Sequence, residues 1–255
     1  MIGVYSAKGG VGKTTLAVDL AWRFAHYGKS RTLLWDLDPQ GGSAFLLGAE
    51  ERRIPRAASV FQRDGRPRDL IEPTPYRQLN LLKSDDSLRT LSVALARIGH
   101  KRRLAQLSAT LSSEYDRIVL DCPPVINEVS EQVINAADVL IVPLRASPLA
   151  LRTLEAVRRE LALLHGRHPP ILPVLSMYNA QRPNQRATRE NEARSWPVIP
   201  MANQVEQAAW SRQPVGACAE GTRADRALHR LWSGIEAKLA ERAASAPPQR
   251  IPVPA

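Results

Sequence analysis

The sequence predicts an α/β fold in which a doubly wound, mostly parallel sheet carries helices on both of its faces. Three observations support this prediction. Short apolar runs alternate along the chain with longer segments of helical periodicity. A glycine-rich turn joins the first apolar run to the first helical segment. Two later apolar runs each end in aspartate, as expected where buried parallel strands deliver carboxylates to one edge of a sheet.

The glycine-rich turn, residues 8–15, reads K-G-G-V-G-K-T-T and lies between an apolar run at 2–5 and an apolar-periodic segment at 16–24. Glycines let the backbone N–H groups point inward, and the helix N-terminus adds partial positive charge, so a phosphate fits there. In such a P-loop the second lysine reaches the β- and γ-phosphates and the following hydroxyl holds Mg²⁺. The predicted nucleotide-binding residues are Lys8, Gly9, Gly10, Val11, Gly12, Lys13, Thr14 and Thr15.

The remaining apolar runs continue the alternation of strands and helices. Strands are expected at 32–35, 79–82, 118–120, 139–143 and 171–177, and helices at 57–61, 91–111, 148–164 and 223–243. The strand at 32–35 leads into D-L-D-P-Q-G-G, and the strand at 118–120 leads into D-C-P-P. An aspartate at the end of the second of these strands, Asp121, suits a Walker B carboxylate that contacts Mg²⁺ through water.

The length of 255 residues suits one sizeable α/β domain, which we expect to span residues 1–243. Residues 50–75 form a basic, proline-rich excursion, and the sequence leaves open whether it is a structured insert or a loop. Residues 244–255 are rich in alanine, serine and proline, which predicts a disordered tail.

The net charge of +10 indicates a polyanionic partner, either nucleic acid or an anionic membrane. Two isolated cysteines, Cys122 and Cys218, are typical of a reducing compartment and a protein without disulfides. Neither a signal peptide nor an apolar run of the roughly 20 residues that span a bilayer is expected. These observations favour a soluble, cytoplasmic protein.

The motifs together resemble those of the ParA/MinD family of P-loop ATPases with a deviant Walker A box. The ordinary box begins with glycine at the place of Ala7, whereas this chain carries the additional Lys8 at the head of its loop. The string D-L-D-P-Q-G resembles the second family box, and D-C-P-P resembles the third. The resemblance covers most of residues 1–243 and is closest to ParA/Soj partition ATPases without an N-terminal helix-turn-helix domain.

The resemblance implies roles for several residues, with ATP and Mg²⁺ as cofactors. By that match Lys8 reaches the nucleotide of a second subunit in an ATP-dependent homodimer, Asp38 orients the attacking water, and Asp36 supports the Mg²⁺ shell with Thr14 and Asp121. The segment at 177–182 resembles the family segment bordering the base. Asn179 is therefore a candidate adenine contact, with a loop asparagine as the open alternative. The base pocket is expected to be lined at Pro200 and Met201.

DNA contacts are expected from arginines near the C-terminus. Arg212, Arg223, Arg226 and Arg230 cluster in sequence, and Arg223 falls where relatives place a basic DNA contact. Relatives also carry arginines after the base-pocket proline, where this chain has Met201 and Gln204. Because aromatic residues do not alternate with the arginines, non-specific phosphate contacts to duplex DNA are favoured over stacking on single strands.

The resulting expectation is a nucleoid-associated positioning ATPase that acts with a ParB-like or other activating adaptor. Two alternatives come from the same superfamily. A MinD-like membrane ATPase would need a basic amphipathic helix after the domain, and the sequence P-P-Q-R-I-P-V-P-A does not provide one, so no membrane partner is expected. A metabolic or iron–sulfur relative would need paired cysteines or a C-x-x-C motif, which the two isolated cysteines do not form.

Overall fold

A computed structural model describes residues 1–49, 57–62, 64–98, 102–125, 127–163 and 168–245. These residues form an eight-stranded sheet in the order β3-β4-β2-β5-β1-β6-β7-β8. All neighbouring strands run parallel except β3, which pairs antiparallel with β4 at one edge. The strands are β1 Ile2–Val4, β2 Thr32–Asp36, β3 Ile71–Pro73, β4 Leu79–Leu82, β5 Arg117–Asp121, β6 Val139–Leu144, β7 Ile171–Tyr178 and β8 Val198–Pro200.

Helices connect the parallel strands. The α-helices are α1 Lys13–His26, α2 Gly42–Leu46, α3 Leu91–Ile98, α4 Arg103–Leu111, α5 Glu128–Ala136, α6 Pro148–Leu163, α7 Pro183–Asn191, α8 Asn203–Trp210, α9 Val215–Cys218 and α10 Arg223–Ser245. Short 3₁₀ helices span Ala57–Phe61, Pro67–Leu70 and Asp86–Thr90. Within the described residues, no helix is both long and apolar enough to cross a bilayer.

The sheet separates two hydrophobic cores, because successive strand residues point to opposite faces. In β2, Leu33 and Trp35 join the core under α3, α4, α5 and α6, whereas Leu34 joins the core under α1 and α10. In β5, Leu120 joins the first of these cores and Val119 joins the second. Since both faces are covered by helices, the predicted doubly wound, mostly parallel α/β fold is confirmed.

Two differences from the expected elements have physical causes. The helix predicted at 91–111 is two helices, α3 and α4, and the residue before α4, Arg102, has non-helical angles of φ −126° and ψ 21°. Residues 99–101 lie outside the described part. The antiparallel strand β3 was not predicted, since its three residues are too short to show a period of two.

The basic excursion and the tail are only partly described. The short helix expected at 57–61 is present as a 3₁₀ helix. Ala57, Val60 and Phe61 are buried in the core under α3, α4, α5 and α6. Helix α10 continues through Ser245, two residues past the predicted end of the domain. Residues 50–56 of the excursion, and residue 63, lie outside the described part, as do residues 246–255 of the expected tail.

Candidate nucleotide and metal site

Three predicted motifs meet at one edge of the sheet. Strands β2, β5 and β1 are neighbours, and all three run parallel. In this register Asp121 pairs with both Asp36 and Val4, so the end of β5 lies beside the ends of β2 and β1. Because the glycine-rich turn follows β1, the turn and both aspartates share the carboxyl edge, where α/β sheets bind ligands.

The turn has the backbone shape that its glycines predict. Gly10 and Gly12 have φ of 67° and 84°, a region that residues with a side chain rarely adopt. Gly12 also precedes the first residue of α1 and provides no side-chain cap. Since no side chain of Gly12 occupies the helix N-terminus, the first N–H groups of α1 can bind an anion. Val11 is buried, while Gly9 and Gly10 are exposed.

Lys13 is directed into the turn rather than toward solvent. The side chain is almost fully buried, and Nζ donates a hydrogen bond of 3.3 Å to the carbonyl oxygen of Lys8. Burial lowers the pKa of Lys13, and the nearby carboxylates of Asp121 and Asp38 oppose that shift. A bound phosphate would supply further negative charge at this ammonium group, consistent with the predicted phosphate contact.

Asp36 and Asp121 form a buried carboxylate pair that is held by Ser43. The Ser43 hydroxyl donates a 2.9 Å hydrogen bond to Asp121 Oδ2, and its backbone N–H donates a 3.2 Å bond to Asp36 Oδ2. The N–H of Asp38 donates a 2.9 Å bond to Asp36 Oδ1. The other oxygen of Asp121, Oδ1, is buried and has no hydrogen-bond partner in the part of the chain that the structure describes.

The electrostatics of this pair fit a divalent cation. Burial raises the pKa of Asp121 to about 6, and the nearby hydroxyls of Thr14 and Ser43 oppose the shift. Burial, followed by repulsion from Asp121, raises the pKa of Asp36 well above its ordinary value. Two buried carboxyl groups with one unpartnered oxygen, beside a threonine hydroxyl, supply the hard oxygen ligands that Mg²⁺ prefers. The predicted metal set of Thr14, Asp36 and Asp121 is thus brought together.

Asp38 lies on the outer side of this pair. Its side chain is half-buried, and Oδ1 accepts a 3.0 Å hydrogen bond from the N–H of Gln40. Asp38 lines a cleft with Pro123 and Pro124, the two prolines that follow β5. Its carboxylate is also near enough to Lys13 to raise the pKa of that ammonium group. Asp38 therefore lies near Lys13 of the turn, and its role in orienting water stays a prediction.

A second cleft beside the turn contains part of the predicted base site. Pro200 and Met201 line it together with Gly12 and Thr15, and Met201 is half exposed. Asn179 is not among the lining residues of this cleft. Its side-chain oxygen accepts a 2.9 Å hydrogen bond from the N–H of Gln181 within its own loop. Pro200 and Met201 thus lie beside the turn, and their contact with a base stays a prediction. The adenine contact of Asn179 likewise stays a prediction, with a loop asparagine as the open alternative.

The sequence reasoning missed Ser43 and the close approach of Gly42. Ser43 bonds both predicted metal carboxylates. A Cβ on Gly42 would lie 3.0 Å from the Thr14 side chain, so glycine allows α2 to approach the start of α1. The only signal was position, since both residues directly follow D-L-D-P-Q-G.

Lys8 lies at the head of the turn and is only partly buried. Its backbone N–H is 3.4 Å from the Ser6 hydroxyl oxygen, and its carbonyl oxygen accepts the bond from Lys13. The backbone of Lys8 thus helps to fix the turn. A contact from its side chain to a second subunit stays a prediction.

The predicted DNA-contact arginines occupy two places. Arg223, Arg226 and Arg230 are exposed and spaced by three and four residues, so they share one face of α10. Arg226 donates to the carbonyl oxygen of Gly221. Arg212 lies apart from that helix, with its guanidinium carbon 4.7 Å from the centre of the Phe45 ring.

A buried ion network joins the helix of the turn to the helix of these arginines. Arg23 of α1 is fully buried and donates a 2.6 Å bond to Asp19 and a 2.7 Å bond to Asp225 of α10. Asp19 also accepts a 2.8 Å bond from the N–H of Gly216. Separating α1 from α10 would leave buried charges without their partners, which is costly. The network therefore holds α1 against α10.

Comparison with known protein sequences assigns the chain to a family. A family model described as an AAA domain matches residues 1–173. The chromosome partitioning protein ParA of Myxococcus xanthus is 33% identical over 174 residues, which cover 67% of this chain and 61% of that protein. ParA of Caulobacter vibrioides is 30% identical over 187 residues, which cover 70% of each. The fold and the site define a P-loop protein, and the chain belongs to the ParA/MinD family, as its motifs predicted.

The chain spans less than two thirds of the length of the Myxococcus relative. The sporulation initiation inhibitor protein Soj of Bacillus subtilis, 30% identical, is covered over 65% of its length.

Solved structures share the fold. Apo McdA from Cyanothece has a TM-score of 0.78 at 23% identity, with 93% of this chain and 98% of that chain covered. A Mycobacterium smegmatis structure described as cobyrinic acid a,c-diamide synthase with bound ADP and magnesium has a TM-score of 0.70 at 26% identity. That match covers 83% of this chain and 89% of the other. Proteins with different described activities thus share this architecture, so the fold alone does not define the activity.

Proposed function

We propose that the chain is a Mg²⁺-dependent ATPase that forms an ATP-sandwich homodimer, binds duplex DNA without sequence preference and positions a cargo. One observation carries the proposal: Lys13 and the buried pair of Asp36 and Asp121 meet at the turn, and Oδ1 of Asp121 has no partner among the described residues. Each of these groups suits one part of a magnesium–triphosphate complex.

The roles of the site residues follow from their positions. The N–H groups at the start of α1 and the ammonium group of Lys13 would bind the phosphates and stabilise charge that develops during transfer. A Mg²⁺ ion at this site would supply positive charge that offsets the negative charge of the phosphates. Thr14, Asp36 and Asp121 would hold it, and Asp38 would orient the attacking water from the adjoining cleft.

The proposed dimer depends on Lys8. Lys8 lies at the head of the turn and is only partly buried, so its side chain is able to extend toward a second copy. Supplied in trans, its charge would act on the transferring phosphoryl group as an arginine finger does. This role rests on the match of Lys8 to the family motif.

The DNA contact is proposed for the exposed face of α10 that carries Arg223, Arg226 and Arg230, with Arg212 as a separate contact. Charges on one helix face suit phosphate binding, which is sensitive to salt and independent of base sequence. The buried Arg23 network fixes this helix against α1, which begins at the phosphate-binding turn. Nucleotide state and DNA binding thus have a direct structural connection.

The cargo and the adaptor follow from the relatives. The Myxococcus and Caulobacter proteins are described as chromosome partitioning proteins. We propose an equivalent role here, with a plasmid, a chromosome or a protein complex as cargo and a ParB-like or other adaptor that stimulates hydrolysis. With this function the protein would act in the cytoplasm at the nucleoid, and residues 1–243 would form its single ATPase domain.

Light scattering combined with an ATP hydrolysis assay tests the ATPase and the dimer. With Mg²⁺ and ATP the mass should double, and phosphate should be released slowly. ADP, or ATP with EDTA, should leave a monomer. Lys13→Ala is the matched control, because it removes the phosphate-binding cation and should abolish both effects. A monomer in every condition, without phosphate release, would contradict the proposal.

A further inference from the structure

A groove lies between α10 and the end of the sheet opposite the nucleotide site. It encloses about 600 Å³ and is lined by Val139 and Ile171, the first residues of β6 and β7. Strands β6 and β7 run parallel to β1, and the phosphate-binding turn follows the other end of β1. The groove is therefore separate from the nucleotide edge, and a dimer closed across that edge would leave it accessible.

The floor of the groove is apolar. It contains Leu172 of β7, Trp196 from the loop before β8, and Leu231, Ile235 and Leu239 of α10. These α10 residues recur at intervals of four, so they form one stripe along the helix. Leu231 and Ile235 are almost fully buried, so the accessible apolar surface comes mainly from the partly buried Leu172, Trp196 and Leu239. This surface suits an apolar ligand.

The rim of the groove is basic. Arg189 of α7 and Arg230, Lys238 and Arg242 of α10 are among its lining residues, and none of the lining residues in the described part of the chain is acidic. Lys238 pairs with Glu241 at an exposed position, while Arg189 and Arg242 donate to backbone carbonyl oxygens. Carbonyl oxygens carry no formal charge, so these hydrogen bonds do not neutralise the two arginines, and the groove favours an occupant that carries carboxylates.

A glycine lies at the middle of this surface. Gly234 is in the interior of α10 and lines the groove, and a Cβ placed there would meet no atom within 4 Å. Glycine in a helix interior is destabilising relative to alanine. Here it leaves the backbone of α10 open to close approach by an occupant.

We propose that this groove binds an acidic amphipathic helix of a partner protein. The apolar side chains of that helix would lie on the floor, and its carboxylates would face Arg189, Lys238 and Arg242 of the rim. Arg230 lies at the end of the rim that adjoins the proposed DNA surface. Arg230 and Arg242 are twelve residues apart on α10, so the basic rim extends about 18 Å, or roughly three turns of a bound helix. A DNA duplex presents phosphates and would leave the apolar floor uncovered, and a flat membrane would not enter a concave groove.

Fluorescence anisotropy on the full chain tests the proposal. The probe is a labelled amphipathic helical peptide of about 14 residues, ~21 Å long, with leucines on one face and glutamates beside them. The same peptide with lysine in place of glutamate is the control. Two variants at one position form a matched pair: Gly234→Phe fills the groove, and Gly234→Ala leaves it open.

The acidic peptide should bind wild type and Gly234→Ala equally, and binding should weaken as salt rises. Gly234→Phe should bind at least tenfold more weakly, and Lys238→Glu should also weaken binding. Phosphate release from ATP should be unchanged in both position-234 variants, so failure here is distinguishable from failure of the proposed ATPase. The proposal would be overturned by no binding of the acidic peptide, by equal binding of the lysine peptide, or by equal affinities of the two position-234 variants.

Two other occupants would give different results. If Gly234→Phe weakens retention on duplex DNA but not peptide binding, the groove is part of the DNA surface and the proposal is wrong. If a chain ending at Ser245 binds the peptide and the full chain does not, residues 246–255 occupy the groove, which would also overturn it.

Discussion

Asp121→Asn should stabilise the protein in the absence of divalent cations and remove its response to magnesium. The side chain is buried, carries an oxygen without a partner among the described residues, and lies beside the buried Asp36. Asparagine has nearly the same shape and carries no charge. The substitution therefore removes an unfavourable buried charge, together with a ligand that the proposed metal site requires.

The expected change in the free energy of unfolding follows from the pKa of Asp121. Burial raises that pKa from 3.8 to about 6, so the folded state binds more protons than the unfolded state between these values. The unfavourable contribution of Asp121 to stability is therefore absent below about pH 4 and is fully developed once the pH has risen above about 6. The difference in pKa corresponds to about 3 kcal/mol at neutral pH and above. In EDTA, Asp121→Asn should raise the free energy of unfolding by up to that amount.

Urea denaturation measures this effect directly. In EDTA at about pH 8, Asp121→Asn should raise the free energy of unfolding by up to about 3 kcal/mol, and the gain should shrink toward about pH 5 as wild-type Asp121 becomes protonated. Addition of Mg²⁺ with ADP should stabilise wild type strongly and the variant weakly, since ligands that bind the folded state raise its stability.

Asp116→Asn is the control for the charge change itself. Its hydrogen bonds with Arg31 lower the pKa of Asp116 to about 2, so loss of this exposed carboxylate should be mildly destabilising and independent of Mg²⁺. The reasoning would be refuted if Asp121→Asn were less stable than wild type at high pH in EDTA. The reasoning would also be refuted if the difference in stability between Asp121→Asn and wild type did not change with pH.

Four further substitutions test other parts of the account. Lys8→Ala should leave ADP affinity within about twofold but abolish the ATP-dependent dimer, and a wild-type dimer fraction in light scattering would reject its role across the interface. Asp38→Ala should slow phosphate release by about 10²-fold or more while the ATP-bound dimer persists, whereas hydrolysis at the wild-type rate would exclude Asp38 from orienting water. Arg223→Glu should reduce retention on duplex DNA and the salt dependence of binding without affecting dimerisation, and equal retention at matched salt would remove Arg223 from the DNA surface. Arg23→Met should lower the free energy of unfolding by about 3–5 kcal/mol, because both of its buried carboxylate partners lose their cation; an unchanged urea midpoint would contradict this.

The fold could be predicted because its signals are local. Buried parallel strands such as β5 and β6 are short apolar runs, and α10 shows a clear helical stripe. The break near Arg102 was not visible, because the apolar spacing of α3 continues into α4 across residues 99–101. Strand β3 depends on pairing with β4 rather than on its own sequence, which includes Pro73.

The site was predictable to the extent that its residues lie within motifs. The turn, Asp36, Asp38 and Asp121 were identified from strings of neighbouring residues, and the parallel register brings them together. The role of Ser43 was not predicted, because it depends on a hydrogen bond to Asp121, which lies 78 residues away in sequence. The network of Arg23 and Asp225 depends on a separation of 202 residues, which no single-sequence pattern indicates.

The basic groove could not be predicted for a related reason. Its cations, Arg189, Arg230, Lys238 and Arg242, belong to two helices, and its floor also includes strand starts from elsewhere in the chain. Each part has an ordinary explanation in the sequence, such as a solvated face or a core stripe. Only the folded structure shows that α10, packed beside β8 and α1, leaves a groove along the first residues of β6 and β7.

The central claim is that ATP controls binding to DNA, and a salt series tests it most directly. Retention on a non-specific duplex should be measured with ATP, with ADP and without nucleotide, all in the presence of Mg²⁺. The account predicts strong retention with ATP alone and a steep loss as salt rises, since phosphate contacts release counterions. Equal retention in all three states, or no retention in any of them, would contradict it.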